Sequence, residues 1–243
     1  MKRILIAVLA LALVLALSMG AFAVAEGAMS YADYAAAELD TEVTVTAYVQ
    51  AHQAWWDGKV TIYAADRDGA YFLYEVPMSE EDAKKLVPGA KFTATGYKSE
   101  WSGEVEIADI ASFEFIEDGD TFVAEPVDVT GLLGTDALIE KMNQLVTFKG
   151  MTVEPSTIEG DETQYAFLYS WDGSGEEGSD LYFNVSRDGA TYTFTVESYL
   201  CGPGTDVYEA VKALNVGDVV DLEGFLYWYN GANPHITAVA KAG

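Results

Sequence analysis

The chain has 243 residues, of which 39 are acidic and 13 basic, giving a formal net charge of −26 at pH 7. Such a surface repels phosphate backbones unless basic side chains neutralise them, so the composition disfavours a nucleic-acid partner. The charge suits a well-dispersed secreted protein, and it could also attract cations. Cys201 is the only cysteine, which excludes an internal disulfide framework.

The first 23 residues have the pattern of a cleavable signal peptide. Lys2 and Arg3 precede an apolar run over 4–17, and Ala21-Phe22-Ala23 forms an A-x-A cleavage site. The run is too short to span a bilayer as a helix, no cysteine follows the cleavage site to carry a lipid, and no second apolar segment follows. We therefore predict a secreted or extracytoplasmic protein without a membrane anchor.

The first half of the mature chain predicts two short helices and five strands. Ser30 with Asp33, and Ser79 with Asp82, resemble helix-starting capping boxes. Alternation of apolar and polar residues predicts strands, separated by hairpin signals such as Asp57-Gly58. The predicted helices cover 31–39 and 79–86, and the predicted strands cover 43–49, 60–64, 71–76, 92–97 and 107–110.

The second half repeats the landmarks of the first in the same order. The most telling is Arg67-Asp68-Gly69-Ala70, which recurs unchanged as Arg187-Asp188-Gly189-Ala190. The separation between copies grows from 103 residues at the first strand to 128 at Leu214-Asn215-Val216-Gly217, so insertions fall in the intervening loops. Helices are expected over 135–143 and 206–214. An ordered set of landmarks indicates an internal duplication.

The order of elements in each copy is strand, strand, strand, helix, strand, strand. This order resembles the OB-fold, a five-stranded Greek-key barrel with its helix between the third and fourth strands. The resemblance implies an all-β protein with short helices, built as two tandem OB-fold-like barrels after the signal peptide, as in an exported bacterial protein. We expect the barrels at 24–116 and 130–243, joined by an acidic linker at 117–129.

Catalytic signatures are missing from the sequence. His52 and His235 are the only histidines, and no motif places a nucleophile or a partner base beside either. Metal-ligand spacings such as HExxH or paired CxxC do not occur. We predict that the chain is not an enzyme and that it needs no cofactor.

One acidic loop is a weak candidate for calcium. Asp172, Glu176 and Asp180 carry the hard oxygen ligands that calcium prefers, among glycine and serine residues. The bidentate glutamate and the full ligand periodicity of a calcium loop are missing. Asp-Gly turns explain most of these residues without an ion.

Aromatic residues at predicted loop tips are the strongest functional signal. In OB-folds, the loops after the first and fourth strands border the face that binds oligonucleotides or oligosaccharides. Because the charge disfavours bases, stacking on sugars is the favoured use of these rings, and we predict binding of an oligosaccharide or other uncharged ligand. The predicted ligand-binding residues are Trp55, Trp56, Trp101, Trp171, Tyr227, Trp228 and Tyr229.

Two alternatives remain open at this point. The aromatic rings could pack on each other, or form an interface, in a structural or protein-interaction module. Single-stranded nucleic-acid binding is the other alternative, by analogy with the fold. The predicted partner is therefore a glycan, a small polar ligand or another extracellular protein, and no nucleic acid.

Overall fold

The computed structural model describes residues 27–242, so the predicted signal peptide lies outside the described residues. Within these residues there are three α-helices: α1 (Tyr31–Ala36), α2 (Glu80–Ala83) and α3 (Asp206–Lys212). The strands are β1 (Glu42–His52), β2 (Lys59–Ala65), β3 (Ala70–Pro77), β4 (Lys91–Trp101), β5 (Glu104–Phe115), β6 (Val127–Asp128), β7 (Leu145–Glu154), β8 (Leu168–Tyr169), β9 (Leu181–Arg187), β10 (Ala190–Val196), β11 (Val219–Phe225) and β12 (His235–Lys241). Short 3-10 helices cover Thr130–Leu132 and Asp136–Lys141.

The strands form two barrels of the same topology. The first closes in the order β1-β2-β3-β5-β4. In the second, β7 pairs with both β9 and β11, so the order β7-β9-β10-β12-β11 also closes on itself. Each barrel contains one parallel contact, Leu73 with Ile107 and Thr195 with His235. The predicted all-β fold with two tandem five-stranded barrels of OB-fold topology is confirmed.

Local side-chain contacts explain where the helices begin and end. Ser30 accepts a hydrogen bond from the backbone N–H of Asp33, as the capping pattern predicts. The predicted helix over 31–39 is too long, because the Lys98 ammonium binds the carbonyl oxygens of Tyr34, Ala35 and Ala37 at 2.8–3.0 Å. Those carbonyls therefore need no further helical turn. The predicted helix over 135–143 is instead the second 3-10 helix.

A glycine bulge bends the first strand of the second barrel. Gly150 has a φ of +62°, a conformation that favours glycine. Its backbone N–H leaves the strand ladder and donates to Asp221 Oδ1 at 2.7 Å, where the pairing of β7 with β11 shifts register. Such a bulge bends a strand and is typical of a strongly curved barrel strand.

The identical Arg-Asp-Gly-Ala tetrapeptides close their hairpins differently. In the second barrel Arg187 pairs with Ala190, and Asp188-Gly189 forms a two-residue turn with positive φ angles of 51° and 84°. In the first barrel Ala65 pairs with Ala70, so the loop contains the four residues 66–69.

One preceding residue accounts for this difference. Asp66 Oδ1 accepts the backbone N–H groups of Asp68 and Gly69 at 2.8 and 2.7 Å, and Asp66 Oδ2 accepts the Tyr71 hydroxyl. Ser186 occupies the equivalent place in the second copy and makes no such loop. Side chains along a strand alternate between the two faces of the sheet. Counted back from the shared tetrapeptide, the residues that face the core in β9 therefore correspond to residues that face outwards in β2.

This shift in alternation gives β2 and β3 of the first barrel an aromatic outer face, which packs on the second barrel. Tyr63 of β2 and Phe72 of β3 point outwards, yet both are buried, in a cluster with Phe225. The Tyr63 ring stacks on Phe225 at 4.6 Å, and the Tyr63 hydroxyl lies 2.6 Å from His235 Nδ1. Phe72 lies 5.3 Å from the Tyr227 ring. The third strand of the second barrel differs in this respect, since Phe194 of β10 lies in the barrel core.

The segment predicted as a linker lies against the first barrel. Asp118 forms an ion pair with the buried ammonium of Lys91 at 2.6 Å. Asp120 accepts a hydrogen bond from the Tyr48 hydroxyl, and the Gln50 carboxamide accepts the backbone N–H of Ala124 at 2.7 Å. The segment ends in β6, which joins the sheet of the second barrel alongside β7. Among the described residues, no helix is both long and apolar enough to cross a bilayer.

We expect Phe72→Ala to lower the free energy of unfolding by about 3–5 kcal/mol, because it removes a ring buried between the barrels. Tyr74→Ala, on the same strand but with a 44% exposed ring, should cost less than about 1 kcal/mol. Chemical denaturation followed by circular dichroism measures both values. Equal losses for the two variants would contradict the packing of the barrels through Phe72.

Candidate functional site

The customary ligand face of an OB barrel is formed by its second and third strands. In the first barrel this face belongs to β2 and β3, and the second barrel covers it. Thr61, Tyr63 and Phe72 point outwards on these strands and are at most 5% exposed. A ligand therefore cannot reach the centre of this face while the barrels are packed together.

In the second barrel the corresponding face, formed by β9 and β10, is open. Leu181, Phe183 and Val185 fill the core, so the alternate residues of β9 point outwards. Opposite them on β10, Thr191 and Thr193 are exposed. The resulting surface carries one aromatic ring among hydroxyl and amide groups, and the Glu154 carboxylate lies beside them, since Glu154 pairs with Asn184 across the β7–β9 ladder. These open-face residues are Tyr182, Asn184, Ser186, Thr191 and Thr193.

Hydrogen bonds fix the polar groups at the centre of this open face. Thr193 Oγ1 donates to Asn184 Oδ1 at 2.7 Å, and Asn184 Nδ2 donates to the Pro155 carbonyl at 3.1 Å. The Ser186 hydroxyl donates to Glu154 at 2.6 Å. The face is thus held in one arrangement before any ligand arrives, which lowers the entropy cost of binding.

One half-buried tyrosine ring, Tyr182, belongs to the open face. Tyr182 is half-buried there, and burial followed by the nearby charges of Asp180 and Glu197 raises the pKa of its hydroxyl. Tyr229, in the loop between β11 and β12, also contributes to this shift, and its ring is 52% exposed. Both rings have area suited to stacking: Tyr182 beside the hydrogen-bonding groups of the face, and Tyr229 on the loop after β11.

The predicted aromatic residues of the first barrel do not form one groove. Trp55 donates from Nε1 to the Met78 carbonyl at 3.0 Å, which fixes its ring locally. Trp56 is 67% exposed and meets Tyr199 of the second barrel edge to face, with ring centroids 6.3 Å apart. Trp56 and Tyr199 line a cleft of about 310 Å³. Trp101 is 61% exposed but does not line this cleft.

The predicted aromatic residues of the second barrel separate into two groups. Trp171 and Tyr229 are exposed, with Trp171 at 75%. Tyr227 and Trp228 are part-buried between the barrels: Tyr227 stacks on His235 at 4.3 Å. A Cβ atom placed on Gly103 of the first barrel would lie 2.7 Å from Trp228 Cδ1, so the indole fits against this glycine. For Tyr227 and Trp228, the packed alternative describes the structure better than a ligand rim.

The acidic loop considered for calcium has other hydrogen-bonding roles. Asp172 accepts from the Ser174 backbone and hydroxyl, and Asp180 accepts from the Ser198 backbone and hydroxyl, all at 2.7–3.0 Å. Glu176 also lies in this loop. Within residues 27–242, no group of three or more histidine, cysteine, aspartate or glutamate side chains is arranged to hold a metal ion.

Buried carboxyl groups lie at the junction of the barrels. Glu104 is 0% exposed, and Glu104 Oε2 accepts the backbone N–H of Trp228 at 2.8 Å. Burial raises the pKa of Glu104 to about 8, against smaller opposing effects of Trp228 and Asn143. Burial and the charge of Glu75 raise the pKa of Glu106, on the same strand, to about 7. The sequence gives no signal for this junction, because each glutamate follows an ordinary hairpin.

The open face could have been found from the sequence. Residues 181–186 alternate strictly between apolar and polar, and so do 191–196, which predicts two neighbouring strands with one uncharged polar face. By contrast, the covering of the first face depends on contacts between distant parts of the chain.

No family model matches the chain, and no curated protein matches it. Among the solved structures that match is the Ifi202 HINa domain in complex with a 20-bp double-stranded DNA, at 12% identity and a TM-score of 0.38, with 84% of this chain and 98% of that chain covered. A murine DNA-binding protein bound to double-stranded DNA matches at 13% identity and a TM-score of 0.36, covering 82% and 96%. A Replication Protein A heterotrimer bound to single-stranded DNA matches at 14% and 0.33, covering 81% and 50%.

These matches correct two predictions. The sequence predicts a glycan or other uncharged ligand and excludes nucleic acid, whereas the proteins that this chain resembles are described in complex with DNA. Both predictions are wrong against that finding, and the rings predicted to hold a glycan do not share one groove. The DNA belongs to those proteins, and at such low identity and TM-score, what this chain binds has to follow from its own residues.

We expect the protein to lose stability as the pH rises from about 6.5 to about 8.5. The pKa of Glu104 is about 8 in the folded protein and 4.5 in the unfolded chain. A carboxyl whose pKa is raised on folding contributes its full stability below the unfolded pKa, and this contribution is lost as the pH rises through the folded pKa. Burial lowers the pKa of His235 from 6.5 to about 3, an effect of opposite sign that is complete above pH 6.5. Denaturation at both pH values should show a loss on the order of 2 kcal/mol from Glu104.

Glu104→Gln is the variant that isolates this effect, since glutamine resembles the neutral carboxyl and cannot ionise. Its stability should change less between the two pH values than that of the parent. Glu80→Gln, at an exposed position on α2, serves as the control and should keep the parent's pH dependence. A parent curve that stays flat, or an unchanged slope in Glu104→Gln, would show that Glu104 is ionised in the fold at neutral pH.

Proposed function

We propose that this protein is an exported, non-enzymatic module that binds single-stranded nucleic acid on the open face of its second barrel. The observation that carries the proposal is the contrast between the two copies. The β2–β3 face of the first barrel is buried, whereas the β9–β10 face of the second is open, rich in hydroxyl and amide groups, and carries the half-buried Tyr182 ring with a single carboxylate, Glu154, beside it. OB barrels use this face for oligonucleotides.

The chemistry of the open face suits unpaired bases. Every base has a flat face that can stack on Tyr182 or Tyr229, and stacking of this kind tolerates any sequence. Asn184 and Thr193 place amide and hydroxyl groups between the strands, where they can exchange hydrogen bonds with base edges. A paired duplex hides those faces and edges, so a single strand fits better.

The strongly acidic composition sets the mode of binding. With 13 basic residues against 39 acidic ones, few phosphates can be neutralised, and affinity has to come from the bases. Arg187 stands at the end of β9, but its guanidinium donates to the carbonyl oxygens of Lys149 and Gly150 at 2.8 and 3.0 Å. The phosphates would therefore lie towards solvent, away from the carboxylates at the ends of the face.

We expect labelled oligo-dT to bind with an affinity that depends weakly on salt, releasing fewer than about two counterions. Fluorescence anisotropy over a range of salt concentrations measures this slope. Tyr229→Ala should weaken binding by about fivefold or more, because an exposed stacking ring is lost. Tyr97→Ala removes a comparably exposed tyrosine on β4 of the first barrel and should leave binding unchanged.

Three outcomes decide against the proposal. The first is an absence of saturable binding to oligo-dT at low salt. The second is equal weakening by Tyr229→Ala and Tyr97→Ala, which would point to non-specific contact with exposed rings. A steep salt dependence with an unchanged Tyr229→Ala variant would count equally against base stacking on this face.

Export rests on the first 23 residues, which lie outside the described part of the chain. Their basic start, apolar run and Ala21-Phe22-Ala23 site support removal by a signal peptidase. We expect the full chain, expressed in a bacterial host, to reach the periplasm or medium with Val24 at its N-terminus, as shown by N-terminal sequencing. Replacing Ala23 by a bulky residue should block cleavage there. An uncleaved parent chain in the cytoplasm would contradict export.

A further inference from the structure

The β2–β3 face of the first barrel stays open at one end, beside the contact with the second barrel. Phe72 and Tyr74 point outwards on β3, since Leu73 between them lies in the core. Phe72 is buried between the barrels, whereas the Tyr74 ring is 44% exposed. Tyr74 and Thr61 of β2 line a cleft of about 310 Å³, a volume typical of a small-ligand site. The covered face therefore continues into an accessible cleft.

Each barrel contributes one further ring to this cleft. Trp56 comes from the loop after β2's partner strand β1, and Tyr199 comes from the loop after β10. The two ring planes are inclined at 68° with centroids 6.3 Å apart, so the rings line the cleft as two walls instead of forming a stack. The backbone N–H of Ala54 donates to the Tyr199 carbonyl at 2.6 Å, which holds the two loops together across the junction.

The charges at the cleft favour a cation over an anion. Asp57, Lys59 and Glu75 are among the lining residues. The Lys59 ammonium lies 2.7 Å from the Glu75 carboxylate, so these two charges compensate each other. Asp57 then leaves the cleft with a negative balance, within a chain of net charge −26. A surface of this sign repels anions and raises the local concentration of cations.

The three rings decide which kind of cation fits. Trp56, Tyr74 and Tyr199 are all exposed, at 67%, 44% and 48%. The faces of tryptophan and tyrosine rings carry negative charge, and they attract a cation most strongly when it sheds its water. A primary ammonium is strongly hydrated and needs hydrogen-bond acceptors in exchange. A quaternary ammonium has no N–H groups, so its methyl groups can cover the rings while its charge acts on the ring faces.

We propose that the cleft lined by Trp56, Tyr74 and Tyr199 binds the trimethylammonium group of a small soluble ligand. A lipid headgroup can carry the same group, but its phosphate would stand beside Asp57 and Glu75, so the ligand is one without a neighbouring phosphate. Because its rings come from both barrels, the site exists only when the barrels are packed together. It is separate from the open face of the second barrel and does not depend on nucleic-acid binding.

The test titrates choline into the mature chain by calorimetry at neutral pH and moderate salt, and we expect saturable binding of one choline per chain. The neutral carbon isostere 3,3-dimethylbutan-1-ol has the same shape without the charge, and it should bind at least about tenfold more weakly. Ethanolamine has the same charge without the methyl groups, and it should bind at least about fivefold more weakly, because its ammonium has to give up tightly held water.

Variants assign the binding to the rings. Trp56→Ala should weaken choline about fivefold or more, since one ring face is lost. Tyr74→Ala, from the other side of the cleft, should weaken it about threefold or more and is the second variant. Trp101→Ala is the matched control, because Trp101 is comparably exposed, at 61%, but does not line the cleft. It should leave the affinity for choline unchanged.

Several results would overturn the proposal. Binding of the isostere as tightly as choline would show that the cleft recognises only apolar bulk. Binding of ethanolamine as tightly as choline would show that the carboxylates, and not the rings, attract the ligand. Equal weakening by Trp56→Ala and Trp101→Ala would reveal non-specific contact with exposed rings. Cosedimentation with phosphatidylcholine vesicles, without binding of free choline, would contradict a soluble ligand.

Discussion

The hydrogen bond between Tyr63 and His235, inside the aromatic cluster of Phe72 and Phe225, is the contact on which the arrangement of the two barrels depends. Burial keeps the His235 imidazole neutral by lowering its pKa to about 3, so Nδ1 can accept the tyrosine proton at 2.6 Å. An unpaired polar group at this depth would be costly, and the rings around it exclude the water that could replace either partner. Two β-barrels that share no strand ladder are thereby held in one relative position.

Because the barrels are fixed in this position, the same face is buried in one copy and open in the other. The first barrel gives up its strand-two and strand-three face to the contact with the second barrel. The second keeps the same face open, with hydroxyl and amide groups already held by Asn184 and Thr193. The contact also creates the junction in which Glu104 is buried beside Trp228, a place that neither barrel would contain alone. The open β9–β10 face and the Glu104 junction therefore both follow from the way the two barrels pack together.

The sequence predicted the architecture well, because repeats and alternation are local signals. The order of strands and the serine caps were readable from the sequence, and the structure confirms them. Register and packing were not readable. The end of α1 depends on Lys98, more than 60 residues away. The register of the β2–β3 hairpin depends on Asp66 rather than on the repeated tetrapeptide. The role of Tyr227 and Trp228 depended on which neighbour their loop would meet.

The four-residue loop between β2 and β3 has a further consequence for assembly. A chain whose first unit docks onto its second through unlike surfaces has a head-to-tail interface, and such interfaces extend without limit when each unit offers both surfaces. Here the opposite parity of β9 replaces the outward tyrosine and phenylalanine of the first barrel by Tyr182, Asn184 and threonines. A further barrel would find no aromatic patch on which to dock. Asp66, through one loop, thus makes the outward strand-two and strand-three faces of the two barrels chemically different.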